Sequence, residues 1–336
     1  MAGMQKNISS DVKNISSDVK KSGENGNGLI LYQNYQSYFC LKVVFALHEK
    51  KLKFKSHVID LYRGEQFEPW FVRINPKCEV PVLKDGVKII PDSRRIIDYI
   101  EDNFSNGDTP RLLPEKGSVE FQQMGRMRDL IDNLPIGLVT FGCIFNPQMT
   151  GRIRLSNQEI RIRQARFAAH ENLLTDLSEK NKEFKDHYLV KKSGLMRLFK
   201  LVTDSNEVDK GILDVEYALK EVEKLLVTHE GDKKKWWLCC EKFTTADISL
   251  CVLLSRLHQI GLTDIFFKDN KLPHLQEYFK RAQQREAYKK TMNQGDGILN
   301  SFVCLDTKEQ MFVAVGSVAV ILAAAGIATF LIHRNK

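Results

Sequence analysis

The stretch EVPVLKDGVKIIPDSRRIIDYI, residues 79–100, decides how this chain begins to fold. Two short apolar runs, EVPVL and VKII, flank Asp85-Gly86. An Asp-Gly pair in that setting is a strong hairpin signal, because the turn needs residues that tolerate positive φ. The period then changes. Ile96, Ile97, Ile100 and Phe104 recur every three or four residues, which predicts a helix beginning near Asp92. Upstream, LILYQNY (29–35) is an apolar run of strand length, Cys40, Val43, Val44 and Leu47 share one helical face, and FKSHVID (54–60) is a second strand. Strand, helix and strand in that order predict a parallel pair joined by a crossover. The order is therefore β-α-β, a connecting segment, then β-β-α.

After a linker at 106–118 the period is helical almost without relief to residue 293. Thr244 with Asp247 three residues on forms a variant of the capping box, and Phe243 with Ile248 a hydrophobic staple. The helix they open, ISLCVLLSRLHQI, is apolar on most faces and belongs in the middle of a bundle. Residues 150–235 are an inserted, more charged helical stretch. Ser156 and Glu159 cap its start, and Ile212, Val215, Leu219, Val222 and Leu226 make a narrow apolar seam. Two long helices are expected there. The seam fits either a coiled-coil partner or the protein's own bundle. Residues 1–28, with a tandem KNISSDV and then GENGNG, are expected to be disordered.

Composition excludes several function classes. Apolar content of 43% and charged content of 27% are globular values. The seven Cys, an odd number at irregular spacing, give neither a disulfide framework nor a zinc pattern and fit a reducing compartment. The eight His include no i, i+4 pair, so no metal site is expected. A net charge of +8 arises from bases interspersed with acids and without an aromatic recognition motif, which argues against nucleic acid and suits a surface near anionic lipid.

The sequence ends MFVAVGSVAVILAAAGIATFLIHRNK, and its uncharged part, 311–332, makes a helix of roughly 33 Å, long enough to cross a bilayer. No apolar signal precedes it, so a tail anchor with the bulk of the chain in the cytosol is expected. A moderately hydrophobic Ala- and Gly-rich span with a short basic end fits the mitochondrial outer membrane, with the peroxisomal membrane as a second address. A longer, Leu-rich anchor would favour the endoplasmic reticulum.

A βαβ-ββα domain with Val80-Pro81 opening its third strand, joined to a helical domain with a capped central helix, resembles the glutathione transferase family. The similarity runs over roughly 29–293 and rests on EVPVL, PDSRRIIDYI (91–100), FTTADISL (243–250) and LPHLQEYFKRAQQREAY (272–288). It implies an α+β fold: a thioredoxin-like N-terminal domain at 29–105 and an all-α transferase-like domain at 118–293, followed here by a transmembrane helix. The insertion and anchor, with EPWFVRIN (68–75) and CIFNPQMT (143–150), resemble a tail-anchored mitochondrial branch of the family. That likeness implies roles in mitochondrial fission, network shape and redox state, contact with cytosolic or organelle-contact proteins, and a homodimer.

The resemblance also implies a site for glutathione as ligand or substrate. Val80 would pair its backbone with the tripeptide beside a cis Pro81. Asp92 and Ser93 would bind the γ-glutamyl amine and carboxylate, a role that competes with simple helix capping. YQNYQSYFC (32–40) places Ser37 at the thiolate-stabilising position, and the same hydroxyl is a candidate cap for the first helix. If so, the protein is an active transferase conjugating glutathione to hydrophobic electrophiles; otherwise it is an interaction protein on the same fold. Cys78 beside Lys77, the Cys239-Cys240 pair and the basic loop 233–235 are minor candidates for redox or binding roles.

Overall fold

The computed structural model describes residues 28–295 apart from 106–108 and 230. The expected disordered segment, but for Gly28, and the expected anchor at 311–332 lie outside the described residues. Among the described residues no helix is long and apolar enough to cross a membrane.

Four strands, β1 (Leu29–Gln33), β2 (Lys55–Val58), β3 (Val82–Asp85) and β4 (Lys88–Pro91), form one sheet in the order β2-β1-β3-β4. β1 runs parallel to β2 and antiparallel to β3, and β3 is antiparallel to β4. Alternate side chains along a strand face opposite sides, and both sides here are buried. Leu29, Leu31 and Leu83 join the main core with helices α1 (Tyr38–Glu49) and α3 (Ser93–Asn103); Tyr32 and Val82 pack on the other side with Phe71 of α2 (Pro69–Ile74). A sheet covered on both faces explains the uninterrupted apolar run of β1.

The helical domain comprises α4 (Val119–Asp132), α5 (Ile136–Phe145), α6 (Asn157–Lys180), α7 (Lys185–Thr203), α8 (Ser205–Val227), α9 (Thr245–Gln259), α10 (Thr263–Phe266), α11 (Pro273–Ala282) and α12 (Glu286–Met292). Central α9 is buried over nearly its whole length, and both capping boxes, Ser156/Glu159 and Thr244/Asp247, are formed.

One expectation is corrected and one open alternative is decided. The insertion holds three long helices, α6, α7 and α8, because a short 3-10 turn after Lys180 and the Asp204 cap each restart the chain in a new direction. The apolar seam is no coiled coil: Val215, Leu219 and Val222 are buried in the protein's own core, and Glu223 accepts from the backbone N–H groups of His274 and Leu275 at 3.1 and 2.7 Å. Close approach enforces this packing. A Cβ at Gly142 in α5 would lie 2.6 Å from Val208 Cγ2 in α8.

The α6–α7 hairpin does not stand off the molecule. It docks on the first domain through Phe67, Val72, Cys78, Leu174 and Tyr188, and the Tyr188 hydroxyl donates to Phe67 O at 2.9 Å. Gly64, at φ 80°, turns the chain where Leu173 leaves no room for a side chain.

Candidate functional site

The sheet register brings the sequence-predicted residues to one edge. Tyr32 pairs with Val82 and Val82 with Pro91, so the segments following β1 and β4 and the segment preceding β3 meet at the same end of the sheet. Ser37, Val80-Pro81 and Asp92-Ser93 all lie there.

Each segment carries unspent hydrogen-bonding groups. The Val80-Pro81 peptide is cis. The ladder of β3 begins at Val82, and neither the N–H nor the C=O of Val80 has a protein partner among the described residues. Asp92 caps α3: one carboxylate oxygen accepts from Arg94 N at 2.9 Å and Arg95 N at 3.1 Å. Its φ of 76° lies in the left-handed half of the map, a strain of about 1–3 kcal/mol of the sort that concentrates at ligand sites. Ser93 follows at the first helical position, buried, with no protein partner for its hydroxyl among the described residues. A free hydroxyl beside helix N-terminal N–H groups suits a carboxylate.

Ser37 does cap α1, its Oγ accepting from Cys40 N at 3.4 Å. Capping occupies a lone pair and leaves the hydroxyl proton unassigned, so the capping and thiolate-stabilising roles are compatible.

The thiols among the described residues are poorly placed for chemistry. Burial pushes Cys78 up to about 11 and Cys40 and Cys143 up to about 12, while Cys239, Cys240 and Cys251 are also raised by burial. The redox roles suggested for Cys78 and for the Cys239-Cys240 pair therefore lack a ready thiolate. Lys233, Lys234 and Lys235 form an exposed turn, with Lys233 stacked 4.5 Å over Trp236. Among the described residues no group of His, Cys, Asp and Glu could hold a metal ion.

Comparison with known proteins agrees with this architecture. Residues 36–103 match the family model of the glutathione S-transferase N-terminal domain, and residues 213–293 that of the C-terminal domain. The beta-etherase from Sphingobium sp. strain SYK-6 shares the fold at a TM-score of 0.56 and 21% identity, over 80% of this chain and 99% of its own. A probable maleylacetoacetate isomerase from Vibrio cholerae is 38% identical over 96 residues, covering 28% of this chain and 43% of its own. The human ganglioside-induced differentiation-associated protein 1-like 1 is 34% identical over 275 residues, 79% of this chain and 73% of its own. The chain belongs to the ganglioside-induced differentiation-associated protein 1 family. This family's glutathione transferase architecture is here interrupted between the two matched segments, in the stretch that contains α6 and α7.

The helical domain, inside and outside that interruption, supplies site residues the sequence did not reveal. Arg163 of α6 donates to Gln36 Oε1 at 3.1 Å, and Arg256 of α9 donates to Gln36 O at 2.7 Å. Two guanidinium groups of the helical domain thus hold the residue before Ser37. Nearby, Lys191 of α7 pairs with Glu79 at 2.7 Å, next to Val80. Grooves of about 500 and 330 Å³ lie elsewhere: one is lined by Arg126, Asn133, Asp214 and Tyr217, the other by His229, Trp236, His274 and Arg281.

Proposed function

We propose that this chain is a glutathione-binding protein held on the mitochondrial outer membrane by residues 311–332. Its bulk faces the cytosol, and it acts on mitochondrial fission, network shape and redox state. The peroxisomal membrane is a second address. Homodimerisation and contact with cytosolic or organelle-contact proteins belong to the same reading. The observation that carries the glutathione part is the meeting, at one sheet edge, of the unpaired Val80 backbone and the unpaired Ser93 hydroxyl, a strand-like surface beside an anion site. Relatives named for glutathione transferase and isomerase activity support the same ligand. The unused Ser37 proton favours a second reading, in which bound glutathione is activated as a thiolate and conjugated to a hydrophobic electrophile.

Calorimetric titration of the full chain in detergent micelles tests the site. Glutathione should bind with a Kd between micromolar and low millimolar. Ser93→Ala should weaken binding about 10- to 100-fold, the worth of hydrogen bonds to a charged group. Ser37→Ala should leave binding nearly intact while removing turnover of an electrophile. No heat up to about 10 mM glutathione, a Kd corresponding to only about 3 kcal/mol, would remove the glutathione part of the reading. The membrane part has its own test in cells. Deleting residues 311–336 should release the protein to the cytosol and abolish its effect on mitochondrial shape. A truncated chain still on mitochondria would sink that part.

A further inference from the structure

The last helix, α12, presents a basic face at the end of the molecule from which the chain leads on to 311–332. Its Ala287, Tyr288 and Thr291 are buried, whereas Glu286, Lys289, Lys290 and the following Asn293 are exposed, a spacing of three and four that makes one outward stripe. The other side of the patch comes from the turn after α1. There Lys51 and Lys53 are exposed while Leu52 and Phe54 pack on the core. His48 joins the two segments: its ring lies 5.9 Å from that of Phe54, with Nδ1 3.1 Å from Thr291 Oγ1 and Nε2 3.1 Å from Gln294 Nε2. The Lys290 bond, with Lys51 adding to it, holds the Glu286 carboxyl below its usual range, which sets Lys51 beside α12.

The patch keeps a positive surplus. Glu286 pairs with Lys290 at 2.6 Å, and Glu49 is occupied by Arg285 through two bonds of 2.7 Å. Burial first, and then Lys290, lowers His48, which therefore adds no charge at neutral pH. Among the described residues Lys51, Lys53 and Lys289 have no carboxylate within ion-pairing distance, and Lys289 meets only Gln284 Oε1, at 3.1 Å. Three uncompensated charges remain. Among the described residues no large apolar side chain is exposed within 48–55 or 286–294, so the patch lacks the apolar centre of a protein interface. The chain beyond it points to what lies opposite. Only the 15 residues 296–310 separate Gly295 from the apolar stretch, a reach of at most about 50 Å, roughly the width of a domain of this size.

We infer that Lys51, Lys53, Lys289 and Lys290 rest on the anionic headgroups of the membrane that holds the chain, and so set the orientation of both domains above it. The inference rests on the anchored reading and adds to it the face that meets lipid. A lysine at an anionic surface strengthens association about fivefold, so a surplus of three favours the docked orientation about a hundredfold. That bias is enough to orient a tethered protein.

The test uses the full chain in nanodiscs of phosphatidylcholine, either pure or with about 30% phosphatidylserine, and reads lysine acetylation by mass spectrometry. At about 0.15 M salt, acetylation of Lys289 and Lys290 should be about tenfold slower or more on the anionic discs than on the neutral ones. At about 1 M salt the difference should vanish. Lys182 and Lys200, exposed on the inserted stretch, should be labelled alike on both discs. Lys51→Gln with Lys53→Gln, both at exposed positions, should cut the protection of Lys289 to about fivefold or less. Equal labelling of Lys289 on the two discs, equal slowing at Lys182 and Lys200, or full protection in the double variant would each overturn the inference and leave the anchored reading in place. A chain that co-elutes with neither disc would remove the anchored reading, and the inference with it.

Discussion

Lys50→Met should lower the free energy of unfolding by about 3–5 kcal/mol, the cost of leaving a buried charge without its partner. Lys50 Nζ lies 2.6 Å from Glu101 Oε1, with both side chains essentially shielded from water. The same ammonium donates to Ser105 Oγ at 3.1 Å and to Pro110 O at 2.9 Å, and Glu101 Oε1 also accepts from Leu112 N at 3.2 Å. The pair therefore joins α1 to α3 and ties Ser105, Pro110 and Leu112, at the start and middle of the link between the two domains, to the first domain. Methionine keeps most of the volume and the apolar stem, so the loss isolates the charge. The double replacement Lys50→Met with Glu101→Leu should recover much of the stability, because it removes both desolvated charges together. Denaturant unfolding followed by circular dichroism measures all of these. A single mutant that costs under about 1 kcal/mol, the range of an exposed pair, would show that water reaches the site.

Asp247→Ala should cost a similar amount, about 3–5 kcal/mol, because several buried donors lose their acceptor at once. One carboxylate oxygen of Asp247 accepts from Leu238 N and from the Tyr278 hydroxyl, both at 2.7 Å. The other accepts from Thr244 N at 2.7 Å and Thr244 Oγ at 2.6 Å. Alanine strands the two backbone N–H groups and the tyrosine hydroxyl in a place with no water to replace the lost partner. Asparagine is the more telling variant. At an exposed N-cap Asp and Asn are nearly equivalent. Here either orientation turns an NH2 group toward a backbone N–H, so Asp247→Asn should still cost about 2–4 kcal/mol. Near-native unfolding of Asp247→Asn would mean that α9 is capped from elsewhere.

Elements governed by near neighbours in the chain were legible. Asp92, Ser156 and Thr244 open their helices, since a cap needs only an oxygen and an N–H two or three residues apart. The hairpin forms with its turn one residue later than the Asp85-Gly86 pair: Asp85 pairs with Lys88, and Gly86-Val87 make the turn, with Gly86 at φ 56°. Helix α1 buries Cys40, Val43, Val44 and Leu47, because a 3.6-residue period puts them on one face. Strand ends drifted: EVPVL read as a strand from Glu79, whereas the ladder starts at Val82 and leaves Val80 unpaired. Propensity carries no mark for where pairing stops.

By itself, then, the sequence determined the order of elements, their caps and turns, and an apolar stretch at 311–332 long enough to span a bilayer. Each depends on residues within a few positions of one another. Only the tertiary structure decided what surrounds Ser37. Arg163 and Arg256 reach Gln36 across 127 and 220 residues of chain. In the sequence they are charges on helices, indistinguishable from a solvated face. The same holds for α6 and α7, whose apolar positions announce that something must cover them without saying what does. Periodicity specifies a face; the partner of that face is chosen by close packing of surfaces far apart in the chain, and that choice exists only once the molecule has folded.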